Sequence, residues 1–234
     1  SNAVCPRSAP CRPYLATLSC RCSPRATTST ASNSYRELIQ NLEGQDIANS
    51  GWNYKSSASY ITLSYWVRSS VAQDYEAIVM TRDGTNRAYS FPFTLAANTW
   101  TKITETIPGS ATNQIDNDNG LGLTVTIIAY YGTDYTSSSN ADRTWRDRTA
   151  TDDFAPVMTS TWANTTNATF DLTGVQLEVG SFATTFEHRS YGDELARCQR
   201  YYYKAVGGLL DRNYNYGDVS RNVFFRYSLP VSLR

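Results

Sequence analysis

The sequence predicts an all-β protein: an antiparallel β-sandwich over residues 35–189, followed by a short helix and the start of a small β unit over 190–234. Three observations carry that expectation. From residue 35 onward apolar side chains recur at every second position, the period of strands with one buried face. Turn residues break the pattern where hairpins need them, as at Asp83-Gly84 and Pro108-Gly109. Helix signals converge in one place only, residues 190–200. A chain of 234 residues accommodates one large β domain or one and a half.

Residues 1–34 stand apart as an atypical leader. The first three look like a cloning scar. Residues 4–34 contain Cys5, Cys11, Cys20 and Cys22, prolines at Pro6, Pro10, Pro13 and Pro24, four arginines and no acid. No strand or helix period runs through them, so a disordered or non-native segment is expected. The cysteines lack the paired Cys-x-x-Cys spacing or downstream histidines of a zinc site. The arginines lack the interleaved aromatics of a nucleic-acid arm, Tyr14 apart.

In the sandwich, residues 60–68 place Ile61, Leu63, Tyr65 and Val67 on one face and Thr62, Ser64 and Arg68 on the other, which is expected to be wet. Residues 74–81 and 87–95 flank Asp83-Gly84, where glycine supplies the positive φ of a tight hairpin. Residues 100–107 form the next strand. The strand at 121–131 aims Leu121, Leu123, Val125, Ile127 and Ala129 inward, with Thr124, Thr126, Ile128 and Tyr130 facing away. Further on the parity slips: Phe170 and Leu172 are even, whereas Val175, Leu177 and Val179 are odd. A β-bulge or strand break at Thr173-Gly174 would return both sets to one face.

The helix at 190–200 has Ser190 as a cap, Asp193 and Glu194 in its first turn and Arg197 and Arg200 in its last. Leu195 and Cys198 share a face, and Cys198 is read as a packing residue. Residues 201–206 and 222–233 read as two further strands around the turn-rich 211–218.

Composition excludes several functions. With 21 basic and 21 acidic residues the chain has no global field to draw it onto nucleic acid or anionic lipid. No apolar run approaches the roughly 20 residues that span a bilayer, and no hydrophobic core of a secretion signal appears at the start. The single histidine, His188, is read as a strand-end residue, and no Gly-x-Ser-x-Gly elbow, phosphate loop or dinucleotide fingerprint is present. Asp116, Asp118, Asp152, Asp153, Glu178 and Glu187 each have a loop or strand-edge explanation, so no catalytic residue is assigned. Asn164-Thr-Thr and Asn167-Ala-Thr fit a glycosylation pattern and are read as polar loop and strand residues.

Recognition of a sugar calls for aromatic faces that stack on C–H surfaces and polar groups that meet hydroxyls. Residues 130–162 have that composition on a long connection. The candidates are Tyr131, Tyr135, Trp145 and Trp162 as platforms, with Arg143 and Asp147 as polar partners. A second reading folds Trp145 and Trp162 inward over a sheet edge. Trp52, Trp66 and Trp100 lie near regular strands and are expected to pack.

Two strings, LTGVQLEVGSFATTFEHRSYGDELARCQRYYYK at 172–204 and ANTWTKITETIPG at 97–109, resemble a family of bacteriophage and prophage tail-fibre or virion proteins. The resemblance covers roughly residues 35–203. It implies a jelly roll similar to carbohydrate-binding modules, a binding or structural role without chemistry, and a place in a virion tail fibre or a prophage. The partners it implies are a host-surface glycan and sister chains of a homo-oligomeric fibre, such fibres being commonly trimers. It also implies a structural calcium ion near the sheet edge, for which Glu43 and Asp171 are the acids that match by position. Alternatives are a purely structural assembly domain and a glycosidase-type depolymerase.

Overall fold

The computed structural model describes residues 20–22 by their backbone, together with 31–148, 155–159, 161–187, 190–192 and 195. The chain divides into two compact units, Ser1–Arg7 with Pro13–His188, and Ser8–Arg12 with Arg189–Arg234. The first is the antiparallel β-sandwich, of the jelly-roll-like kind. In the second, most of the helix expected at 190–200, the two strands after it and Cys198 lie outside the described residues, as does His188 in the first.

Among the described residues, nine strands build the sandwich: β1 (Cys20–Cys22), β2 (Tyr35–Glu43), β3 (Tyr60–Ser69), β4 (Gln73–Thr81), β5 (Arg87–Leu95), β6 (Thr101–Pro108), β7 (Leu121–Tyr131), β8 (Arg146–Asp147) and β9 (Phe170–Val179). Two short helices join them, α1 (Gly44–Ala48) and α2 (Thr161–Asn164). One sheet has the order β1-β9-β3-β6 and the other β2-β7-β4-β5-β8, every pair antiparallel.

β1 corrects the reading of residues 1–34 as free of regular structure. Cys20, Arg21 and Cys22 pair with Leu172, Asp171 and Phe170, capping what would otherwise be the open edge of β9. Three residues are too few for a periodic signal, and the pairing is supplied from far along the chain.

Period-two patterning builds the core. Ile61, Leu63, Tyr65 and Val67 of β3 face Tyr75, Phe91, Phe93, Leu123, Val125 and Ile127 of the other sheet, and all are buried. Aromatic rings tie the layers together: Phe93 meets Tyr65 edge-on at 5.8 Å and stacks on Tyr75 at 5.8 Å, and Tyr75 lies 5.2 Å from Phe170. Such pairs add about 0.5–1.5 kcal/mol each beyond the area they bury. The β4–β5 hairpin turns where expected, with Gly84 at a φ of 62°.

The bulge expected in β9 is present. Ser64 pairs with Gln176 and Trp66 with Thr173, so Gly174 and Val175 together oppose Tyr65 alone. Gly174 takes a φ of 60°, which costs any residue with a Cβ about 1–2 kcal/mol. Phe170, Leu172, Val175 and Leu177 consequently all pack on the same core.

A second irregularity was not foreseen. Arg36 pairs with Tyr130 but Glu37 with Ile128, leaving Ala129 as an extra residue in β7. Parity flips there, so Tyr130 joins the main core and Tyr131 joins Ile128 on the opposite face. That face is not wet. Ile78, Met80, Ala88, Ile128, Tyr131 and Ala155 form a second small core, covered by Tyr35, Tyr135 and Met158. The outer side of β3 is also partly covered: Thr62 and Ser64 are buried, with the Thr62 hydroxyl donating to Gly180 O at 2.8 Å.

Glu76 lies on that covered outer side of β4, only 6% exposed, and its Oε2 has no hydrogen-bond partner. Burial first, then the neighbouring Asp142, pushes its carboxyl up to about 8 against the opposing pull of Arg143 and Arg146. The folded state therefore holds a proton that the unfolded chain releases near the ordinary value of 4.5.

Two outcomes are expected from these backbones and burials. Stability should fall as pH rises from about 4.5 to about 8 and then level off, and Glu76→Gln should flatten that slope in denaturant midpoints taken across the window. Gly174→Ala should cost about 1–2 kcal/mol in urea unfolding, whereas Val179→Ala, exposed at the end of the same strand, should stay within about 0.5 kcal/mol.

Candidate functional site

Among the described residues, the outer face of the four-stranded sheet carries two half-exposed tryptophans. Trp66 in the middle of β3 is 42% exposed and Trp100, just before β6, is 39% exposed. Trp66 pairs with Lys102 on one side and Thr173 on the other, so it stands on the central strand of three. Thr101 pairs with Val67, which brings Trp100 alongside Arg68. Diagonal neighbours on one sheet face are about 7–8 Å apart, and Trp66 and Trp100 hold that relation.

Each ring is fixed from below or beside. A Cβ on Gly174 would come within 3.4 Å of Trp66 Cδ1 and 3.9 Å of Phe186 Cδ2, so both rings border the hollow left by that glycine. Trp100 is presented by a tight turn in which Asn98 has a φ of 57° and donates its N–H to Ser69 O at 2.6 Å. Asparagine tolerates that left-handed geometry better than most residues. The Arg68 guanidinium lies over the Trp100 ring, 5.1 Å from its centroid. The same guanidinium donates from Nε at 3.1 Å and Nη2 at 2.8 Å to Asp171 Oδ2. The Asp171 side chain is 5% exposed, so the ion pair is anchored at a buried end. Asp171 thus holds Arg68, and Arg68 holds Trp100.

Residues 180–187 cross the other half of this face. Gly180 N–H donates to Tyr60 O at 2.9 Å, Thr106 Oγ1 to Ser181 O at 3.2 Å, Gln176 Nε2 to Thr184 Oγ1 at 3.2 Å, and Glu187 N–H to Gln176 Oε1 at 2.9 Å. Burial tends to raise the Glu178 carboxyl, but hydrogen bonds from Thr184 and Gln176 and the nearby Lys102 outweigh it and hold the group below its ordinary value. This crossing segment explains why Thr62 and Ser64 are dry while Trp66 is not. It bounds the exposed half rather than covering it.

The residues singled out from the sequence go elsewhere. Trp162, on α2, is fully buried against Phe170, with its indole N–H donating to Thr169 O at 3.2 Å. Trp145 is buried against Tyr89 at 5.6 Å and donates to Pro108 O at 2.6 Å, closing the gap between β5 and β6. Tyr131 is buried in the second core and donates to the Glu37 carboxylate, and Tyr135 packs edge-on against Tyr35 at 5.3 Å. Arg143 pairs with Glu105 at 3.0 Å and Asp147 with Arg87 at 3.1 Å, both bracing the edge of β5. The three buried rings have no face left for a ligand. Their stretch is cover for the sheet, because its apolar bodies have core to fill and its N–H and O–H tips find acceptors.

Trp66 and Trp100 were expected to pack, and the structure corrects that. The parity that turns Ile61, Leu63, Tyr65 and Val67 inward also turns Trp66 outward beside Arg68, and this signal was present in the sequence. The two acids named for calcium do not come together. Glu43 ends β2 in the five-stranded sheet and accepts from Gln45, whereas Asp171 lies in the four-stranded sheet against Arg68. Among the described residues no group of three or more His, Cys, Asp or Glu could hold a metal ion.

Chemically, this surface offers two half-exposed indoles, a guanidinium over the Trp100 ring and Lys102 paired beside Trp66. It suits a ligand that alternates apolar faces with hydrogen-bonding edges. No protein-family model and no curated protein matches the chain. Two solved structures are similar to it. One, described as "CBM4 structure and function", is 12% identical, with 69% of this chain and 84% of that chain covered at a TM-score of 0.35. The other, described as "Family 16 Carbohydrate Binding Module-2", is 11% identical, with 62% and 71% covered at a TM-score of 0.28.

Proposed function

We propose that the sandwich is a non-catalytic carbohydrate-binding module whose ligand lies along the outer face of the four-stranded sheet, across Trp66 and Trp100. The observation that carries this reading is the pair of tryptophans held outward, Trp66 from the middle of β3 and Trp100 from the turn before β6, 42% and 39% exposed, on a face whose other half is crossed by residues 180–187. A tryptophan in a sheet normally gains by burial. Two of them braced in the open by Arg68 and by the hollow at Gly174 form a preorganised platform, which spares a ligand the cost of ordering it.

A further observation supports the same surface. The two strings that resemble tail-fibre proteins, 97–109 and 172–204, are far apart in the chain, yet β6 and β9 pair on either side of β3 and so flank Trp66. On that resemblance we place the module in a virion tail fibre of several copies, with a host-surface glycan as its ligand.

The test is retention on immobilised or insoluble bacterial surface polysaccharide. Trp66→Ala and Trp100→Ala should each weaken binding by about 2 kcal/mol, the size typical of a buried aromatic anchor, or roughly 30-fold. Ile39→Ala, exposed on β2 of the other sheet, should bind as the parent does. Undiminished binding by both tryptophan variants would move the ligand off this face. A parent protein retained by no polysaccharide would remove the function.

A further inference from the structure

We infer that residues 137–144 form a flap over the outer face of the five-stranded sheet and that Glu76 is its proton-operated latch: a neutral Glu76 lets the flap lie down, and an ionised one, facing Asp142 of the flap, releases it. The placement comes from strand register. Glu76 of β4 pairs with Pro92 of β5 and Ile78 with Ser90, so Glu76, Pro92 and Ser90 lie together on the outer side. The flap is fastened to those residues. Ser90 Oγ donates to Asp142 Oδ1 at 3.2 Å, the Arg143 N–H to Ser90 O at 2.7 Å and Arg143 Nη2 to Pro92 O at 3.5 Å. Asp142 is thereby set near Glu76, and of the charges acting on that carboxyl it is the strongest.

Two features make 137–144 the part that yields. Thr136 and Trp145 on either side are buried, but no residue between them is, so hydrogen bonds and the Arg143–Glu105 ion pair hold the flap without a buried apolar anchor. The Arg143 side chain is 52% exposed, and ion pairs so exposed contribute little. Arg143 also takes a φ of 54°, a left-handed backbone that a residue with a Cβ adopts at a cost, so release relieves strain. Segments of this kind open well below the free energy of unfolding the whole domain.

The latch depends on the charges Glu76 meets. From the flap Asp142 repels it and Arg143 attracts it, Arg146 of β8 attracts it, and Asp74, two places along β4, repels it. β5 and β7 set the uncharged Pro92 and Ile128 opposite, and Tyr65 in the core beneath is held neutral by burial. Glu76 is 6% exposed and its Oε2 has no partner, so a carboxylate there has neither water nor a donor at that oxygen. Burial and then Asp142 outweigh the two arginines, and the carboxyl is pushed up to about 8. Lifting the flap admits water and carries Asp142 away, which returns the group toward its ordinary 4.5. The closed flap thus holds a proton that the open flap releases, and its stability falls as pH rises from about 4.5 to about 8, then levels off.

Hydrogen exchange of the whole chain read by mass spectrometry from about pH 5 to about pH 9, corrected for the intrinsic pH dependence of exchange, tests this. Peptides over 137–144, which include the Arg143 N–H, should be less protected than those of β7 at every pH and should lose at least about tenfold of their protection between about pH 5 and about pH 8. Glu76→Gln, which keeps the shape of the neutral carboxyl, should hold flap protection level across the series. Asp142→Asn, with Glu76 in place, should shrink the loss and make it level off at lower pH, and it decides the matter even if the Glu76 variant does not fold. Flap protection that stays constant with pH in the parent, or that rises because Arg143 or Arg146 captures the carboxylate, would overturn the latch. Protection equal to that of β7 would show that the segment has no opening of its own and would overturn it as well.

Discussion

The bulge at Gly174 is the constraint from which the rest of the four-stranded sheet follows. A regular β9 would send either Phe170 and Leu172 or Val175 and Leu177 into water, because successive side chains alternate faces without exception. Inserting one residue opposite Tyr65 lets all four reach the core, and only glycine adopts a φ of 60° there at little cost. The same missing side chain leaves a hollow on the outer face, and Trp66 and Phe186 lie at its border. Core packing and the exposed aromatic surface therefore have one cause. A strand that packed well without the bulge would have presented a ridge of side chains where the platform now lies.

A two-layer sandwich has two outer faces, and this chain treats them differently. The five-stranded sheet is roofed by Tyr131, Tyr135, Ala155 and Met158, and its β5 edge is braced by Arg143, Trp145 and Asp147. The cost of the roof shows in Glu76, a carboxyl enclosed without a partner for one oxygen and kept protonated by that enclosure. Among the described residues, the four-stranded sheet receives 180–187, fastened by hydrogen bonds to Tyr60, Thr62, Thr106, Gln176 and Glu178. Half of it stays open. The asymmetry supports the proposed surface more than aromatic content does, since the roofed face holds as many aromatic rings.

Strand positions and the bulge were legible in the sequence because both depend on local alternation, a property each residue shares with neighbours two places away. Gly84 and Gly174 were legible for a related reason: each sits where the pattern breaks and where the required backbone suits glycine. What the residues alone did not show depends on contacts made across long separations. Trp145 and Trp162 sit in segments without a period, so nothing local says whether a ring turns to water or to core. The deciding partners are Pro108 and Tyr89 for one, and Gln73, Thr169 and Phe170 for the other. The flip at Ala129 was hidden because every residue from Leu121 to Tyr131 is apolar, threonine or glycine, and such a run gives no sign of slipping by one. Trp66 was misjudged for the opposite reason. Its parity was plain, but the general tendency of tryptophan to pack was given more weight than its position.

The link from Asp171 through Arg68 to Trp100 shows how a buried charge can order an exposed ring. Left alone, a half-exposed indole at a strand end has rotamers to choose among, and an exposed arginine has more. Burying one end of this series of contacts removes that freedom stepwise: the Asp171 carboxylate cannot leave β9, the guanidinium meets it through two donors, and the same guanidinium sits over the indole, 5.1 Å from its centroid. The exposed cation–π contact supplies only about 0.5–1 kcal/mol. Its larger effect is orientational, since it ties a half-exposed ring to a buried anchor. The same tie spends the positive charge internally. A surface built this way has its rings held in place before any ligand arrives, and a fixed shape is what lets a sheet face discriminate by fit.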